Sequence, residues 1–214
     1  RGDPGPKMDE LPEFKASIPL RVGWQASLGP SANAVFSPAV VSGSVYAADN
    51  TGMVTRLEAA TGRSVWRASA GRPLTGGVGS DGRLVVVGTG DGEVIAMEAE
   101  NGSIRWRARV SSEVLAAPAI ANDIVAVRSA DNRVFGLDAR DGKRRWVYQR
   151  AGLPLSVRSP AGVLLYRGNA YAGFSGGKLV SVALSNGGTR WEGTVALPRG
   201  ATELERVTDV VGMP

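Results

Sequence analysis

The side chains able to do chemistry in this 214-residue chain are a restricted set, because it contains no histidine and no cysteine. That removes imidazole general bases, thiol nucleophiles, His or Cys metal sites, haem ligation and disulfides together. Asp, Glu, Lys, Ser and Tyr remain, and no reacting group emerges from them. Lys178, Tyr46 and Tyr166 have no neighbour in sequence that would activate them. Asp81-Gly82 and Asp91-Gly92 read as turn chemistry, with oxygen ligands too sparse for calcium. Gly88-Thr89-Gly90-Asp91-Gly92 superficially evokes a phosphate loop, but no Lys-Ser or Lys-Thr ends it and no helix follows. The expectation is a protein without catalytic residues, metal or cofactor.

A second set of residues is far more regular. The five tryptophans, Trp24, Trp66, Trp106, Trp146 and Trp191, lie at intervals of 42, 40, 40 and 45 residues. A glycine stands four residues before the last four of them, at Gly62, Gly102, Gly142 and Gly187. Seven residues before come Ala59, Ala99, Ala139 and Leu184; nine before come Leu57, Met97, Leu137 and Val182. Such a period marks an array of structural repeats. These positions suit architecture: glycine for a turn needing positive φ, alanine to leave room, and tryptophan to fill the gap between repeats.

The elements that carry these positions read as strands. GSVYAADNTG (43–52), GRLVVVGTGDG (82–92), NDIVAVRSADN (122–132) and GNAYAGFSGG (168–177) are β-rich runs closed by Gly, Asn or Asp turns. A second run follows each, then a tight turn into the tryptophan strand. A shorter apolar piece opens each unit, at Pro38-Ala39-Val40, Gly77-Val78, Pro118-Ala119-Ile120 and Ser159-Pro160-Ala161. Four short antiparallel strands per repeat make an all-β chain of about four β-propeller blades. Residues 20–214 are expected to form this partial propeller, with an outer strand at 20–28 and a lead-in to a fifth blade. Residues 1–19 read as a tether or a cloning remnant. Each tryptophan from Trp66 onward is expected to be buried against a neighbouring blade.

Charge adds little. The chain carries 25 basic and 20 acidic residues, a net charge of +5, with an isoelectric point near 10.0. The densest basic run, Arg140, Lys143, Arg144, Arg145 and Arg150, includes Asp141 and lacks the aromatic interleaving of a nucleic-acid site. No nucleic acid is expected as a partner. No run approaches the ~18 apolar residues of a membrane-spanning helix.

The pattern apolar-x-Ala-x-x-Gly-x-x-x-Trp, at Leu57 to Trp66, Met97 to Trp106 and Leu137 to Trp146, resembles the repeat of pyrroloquinoline-quinone-type eight-bladed propellers. Three further segments resemble the BamB family of outer-membrane assembly lipoproteins. They are Leu11-Pro12-Glu13-Phe14-Lys15, Leu155-Ser156-Val157-Arg158, and Ala201 to Val210. This resemblance implies four blades of an intended eight, anchored through a lipidated N-terminal cysteine that this chain does not contain. It also implies a scaffold at the periplasmic face of the outer membrane, bound to the periplasmic domains of the barrel-inserting subunit. Of the two acids the resemblance implies in the last segment, Asp209 is present and Val211 replaces the other.

Spacing singles out two of these segments independently. From Trp106 to Pro118 is 12 residues, from Trp146 to Pro160 is 14, and from Trp191 to Pro214 is 23. Connections between a fourth strand and the next first strand emerge on the same face as the second-to-third turns. The long connections therefore flank the fourth blade on one face, and long connections usually carry function. Leu155, Val157 and Arg158 on one, with Arg206 and Asp209 on the other, give apolar residues with a charged rim. That is what a partner site requires. Leucines tucked under the blade, with Arg158 paired to an acid, would be the purely structural alternative. Unfolded outer-membrane proteins could also add a strand to exposed blade edges. A quinoprotein dehydrogenase fragment is the competing class, but the calcium cluster and vicinal disulfide of such enzymes have no counterpart here. Four blades of eight leave two faces uncovered, so either a longer polypeptide or a homodimer of half-rings is expected to cover them.

Overall fold

In a computed structural model, residues 21–31, 35–150 and 161–195 can be described. They contain seventeen strands and no helix. A two-residue strand, β1 (Val35–Phe36), precedes four sheets of one plan. Blade I is β2 (Ala39–Val41), β3 (Ser44–Ala48), β4 (Met53–Glu58) and β5 (Ser64–Ser69). Blade II is β6 (Gly76–Ser80), β7 (Leu84–Gly88), β8 (Glu93–Glu98) and β9 (Ile104–Arg109). Blade III is β10 (Ala119–Ala121), β11 (Ile124–Arg128), β12 (Arg133–Asp138) and β13 (Arg144–Gln149). Blade IV is β14 (Val163–Tyr166), β15 (Asn169–Phe174), β16 (Lys178–Ala183) and β17 (Thr189–Thr194). Each is an antiparallel meander in chain order. The expected four blades are present.

A blade has no interior of its own. Both faces of its middle strands are apolar, so β7 and β11 are buried at every position. The cores lie between blades: Tyr46, Val54, Val85, Val87, Ile95 and Met97 join I to II, and Val86, Val94, Val125, Val127 and Phe135 join II to III. Ala126, Val134, Ala172, Phe174, Val180 and Val182 join III to IV.

The repeated Trp, Gly and Ala form one device at each joint. The indole N–H of Trp66 donates to Ala99 O at 2.9 Å, that of Trp106 to Ala139 O at 2.8 Å, and that of Trp146 to Leu184 O at 2.6 Å. Each ring lies on the next repeat's glycine, so that a Cβ on Gly102, Gly142 or Gly187 would sit 2.5–2.8 Å from indole carbons. These glycines also hold φ of 77°, 74° and 72° in the hairpin between third and fourth strands. Glycine is thus required twice at one position, for the turn and for the neighbour's ring.

Two expectations, the burial of Trp191 and of Trp66, need correction. Residues 21–31 are in no strand, so the outer strand expected at 20–28 is unpaired among the described residues. Trp24 nonetheless occupies the docking position on blade I, donating to Ala59 O at 2.8 Å above Gly62. Strand hydrogen bonds would require the inner strands of another blade, and none of the described residues supplies them. Trp191 is 45% exposed rather than buried, because no described blade follows it. Trp66 is only half-buried: Arg56, opposite it on β4, fills space that Ala96 and Gly136 leave to the next two indoles. Strand β1, parallel to β6 on its inner side, was unforeseen. Gly76 and Gly79 make room for the 114–118 backbone, and Gly77 for the Val87 side chain.

Candidate partner-binding face

The second-to-third turns of the blades, at 49–52, 89–92, 129–132 and 175–177, share a face with the fourth-to-first connections. In the first three turns a side-chain oxygen holds the chain. Asp49 Oδ1 accepts from Thr51 N, Thr51 Oγ1 and Met53 N. Thr89 Oγ1 donates to Asp91 Oδ1 and accepts from Glu93 N. Asp131 accepts from Ser111, Ser129 and Arg133. The fourth turn, Ser175-Gly176-Gly177, carries no acid and relies on two glycines at positive φ.

Ion pairs bind the connections to the blades they enter. Arg72, after β5, reaches Asp91 at 2.8 Å and Glu93 at 3.3 Å. Arg107 pairs with Glu93 and donates to Ala70 O at 2.9 Å, while Arg109 approaches Asp91 at 3.6 Å. The Arg72 guanidinium, helped by the Thr89 hydroxyl, holds the Asp91 carboxyl well below its usual range. For Asp49 and Asp131 burial pushes the pKa up, but hydroxyl and amide donors outweigh it and the carboxyls stay low. Asp49, Asp91 and Asp131 are anions at neutral pH.

Leu155, Val157, Arg158, Arg206 and Asp209 lie outside the described residues, in 151–160 and 196–214. Their described flanks converge on blade IV. Arg150, at the end of β13, pairs with Glu192 of β17 at 2.7 Å. Val195, after β17, donates its amide to Gly177 O in the β15–β16 turn at 2.8 Å. Both intervals are therefore bounded by residues fixed to the same blade.

Arg128 is a residue the sequence reading missed. It is 4% exposed, and its guanidinium donates to Gly173 O of blade IV and, at 3.1 Å, to Asn132 Oδ1. It also lies 4.5 Å from the centroid of the Phe174 ring. A buried guanidinium needs such partners. The signal was available: the corresponding positions are Ala48, Gly88 and Gly173, so the repeat alignment shows a charge where small residues are the rule. Arg128 joins the turn face of blade III to blade IV.

Among the described residues, no group of three or more His, Cys, Asp or Glu is placed to hold a metal ion, and no helix is long and apolar enough to cross a membrane. Four blades joined by docked tryptophans, with their turns gathered on one face, define an arc of β-propeller of the quinoprotein repeat type. A family model described as outer membrane protein assembly factor BamB matches residues 50–214, and the chain belongs to that family. BamB of Bordetella pertussis is 43% identical over 208 residues, 97% of this chain and 54% of that protein. BamB of Pseudomonas aeruginosa is 52% identical over 206 residues, 95% of this chain and 54% of that protein. The crystal structure of BamB from Moraxella catarrhalis matches with a TM-score of 0.75 at 30% identity, covering 84% of this chain and 54% of that one. The chain thus spans about half the length of these relatives. A quinohemoprotein alcohol dehydrogenase from Pseudomonas putida matches at a TM-score of 0.59 and 18% identity, a likeness of fold alone.

Proposed function

We propose that this chain is part of a non-catalytic scaffold that assists assembly of outer-membrane proteins at the periplasmic side of the outer membrane. The observation that carries this reading is the BamB family match over residues 50–214, against an 18% likeness to the dehydrogenase, which disfavours the quinoprotein alternative. In this reading residues 1–19 are a tether from a lipid anchor, and residues 20–28 complete a blade built by a longer chain. Trp24, already docked on blade I, supports the second point.

The partner is the periplasmic part of the barrel-inserting subunit, contacted by Leu155, Val157 and Arg158, with Arg206 and Asp209 secondary. Two observations favour this face. Arg128 and Arg150 lock blade IV to blade III, and a rigid base lowers the ordering cost of binding. An apolar patch with a polar, charged rim is the composition of a partner interface, and arginine is a residue type enriched among binding hot spots. The test is co-purification with the barrel-inserting subunit. Leu155→Ala combined with Arg158→Ala abolishes it while circular dichroism stays unchanged. Retained binding by the folded double variant removes the site, and parallel loss of fold assigns the residues a structural role. Unfolded outer-membrane proteins are the proposed substrate, taken up along the outer edges of β5, β9, β13 and β17, which pair with no further strand among the described residues.

A further inference from the structure

Two of the four hairpins that receive an indole place asparagine directly before the glycine: Asn101-Gly102 and Asn186-Gly187. The others read Thr61-Gly62 and Asp141-Gly142. An asparagine followed by glycine is prone to attack by the glycine nitrogen on its side-chain carbonyl, because no Cβ obstructs the approach. Both asparagines are exposed, and both precede a glycine that bears a tryptophan of the neighbouring blade. We propose that Asn186 is a site of spontaneous deamidation whose isoaspartyl product undocks Trp146 and loosens the joint between blades III and IV.

The chemistry needs only water. Gly187 N bonds to Asn186 Cγ, and the side-chain nitrogen leaves as ammonia, taking up the proton that Gly187 N gives up. Water then opens the cyclic imide. Cleavage of the bond from N to Cγ leaves aspartate; cleavage of the bond from N to the main-chain carbonyl leaves isoaspartate, with the chain running through the side chain. One water is consumed and one ammonia released.

Folding restrains both sites and ranks them. Gly102 N donates to Glu98 O and Gly187 N to Ala183 O, each at 2.8 Å, so attack requires the hairpin to open. Asn101 Oδ1 is held twice, by the Ser103 amide at 2.9 Å and its hydroxyl at 2.7 Å. Asn186 Oδ1 accepts from the Gly188 amide at 2.9 Å, with no hydroxyl to add a second bond. The Gly187-Gly188 pair also gives this hairpin the more permissive backbone. Asn186 is the weaker of the two.

The two products have different consequences. Aspartate already serves in repeat III, where Asp141 Oδ1 accepts from the Lys143 amide at 2.9 Å while Trp106 docks over Gly142. Isoaspartate instead adds a methylene to the main chain in the turn that holds Gly187 under the Trp146 ring. The hairpin then loses its register, and with it the bond from the Trp146 indole to Leu184 O.

The experiment ages the full-length protein in mildly alkaline buffer and follows each site by peptide mass spectrometry that separates isoaspartate from aspartate. Tryptophan emission and thermal unfolding are read alongside. Isoaspartate accumulates at Asn186 several-fold faster than at Asn101, and the aged protein shows red-shifted emission and a lower unfolding midpoint. Fresh N186D and aged N186T keep both properties of the fresh protein. Equal or slower conversion at Asn186 than at Asn101 overturns the proposal. So does isoaspartate at 186 with emission and midpoint unchanged.

Discussion

Blades I and IV carry the same aromatic pair at the same repeat positions. Tyr46 and Trp66 stand 6.3 Å apart, and Tyr171 and Trp191 stand 6.0 Å apart. Their surroundings differ: Tyr46 is 1% exposed beneath blade II, whereas Tyr171 is half-buried and Trp191 is 45% exposed. The sequence of a blade sets the pair, and the next blade sets its burial. Stability in this arc therefore belongs to joints rather than sheets, as in other repeat architectures.

The largest effect should follow from emptying an internal joint. Trp106→Ala removes a buried indole and its bond to Ala139 O, a loss of about 3–5 kcal/mol. Trp191→Ala should lower the unfolding midpoint of residues 1–214 far less, since Trp191 is 45% exposed and no described blade covers it. Equal losses in denaturant unfolding would break the comparison. Association of residues 1–214, read by light scattering, sharpens it: two half-rings that pair would cover the open faces, and Trp191→Ala should weaken the pairing.

Next in size are the glycines beneath the rings. A Cβ on Gly142 would meet the Trp106 ring at 2.5 Å, while one on Gly168 meets nothing within 4 Å; φ is 74° in both. Gly168→Ala should cost only the left-handed backbone, about 1 kcal/mol. Gly142→Ala adds the displacement of an indole and should cost clearly more. A matched pair of unfolding midpoints would contradict the double role of the docking glycine.

Arg128→Ala tests the joint beside the proposed partner face. It removes the buried guanidinium's bonds to Gly173 O and Asn132 Oδ1, each hydrogen bond to a charged group being worth about 1.5–3 kcal/mol. Partner affinity should fall while blades I and II keep their amide-exchange protection. The smallest effect concerns the Arg72–Asp91–Glu93 network. Asp91 has a folded pKa below its ordinary value, so its contribution is fully present above about 3.8 and is lost as pH falls through the folded value. Asp91→Asn should therefore lower stability slightly at neutral pH, flatten the acid limb of the profile, and converge with the unsubstituted protein as pH falls.

How much of this was legible depends on whether a feature is local. The hairpin glycines and the tryptophan strands repeat, so spacing alone placed blades II and III. The indole's acceptor was half-legible: Ala59, Ala99 and Ala139 stood out, but their role as carbonyl acceptors depends on which blade lies alongside. Exposure of Trp191 was not legible, because its residue pattern is that of a buried repeat tryptophan. Strand β1 is two residues with no periodicity, held by pairing to the glycines of β6. Arg128 was legible in principle, as a charge at a small-residue position. The candidate partner residues were legible through connection length and family resemblance, and their contacts are a matter for experiment.

The most direct of these experiments is amide hydrogen exchange on the full-length protein with and without the periplasmic domains of the barrel-inserting subunit. The account predicts new protection in 151–160 and in the 175–177 turn, and none in the matching turn at 49–52. Protection confined to the opposite face, in the hairpins at 59–63 and 99–103, would contradict it.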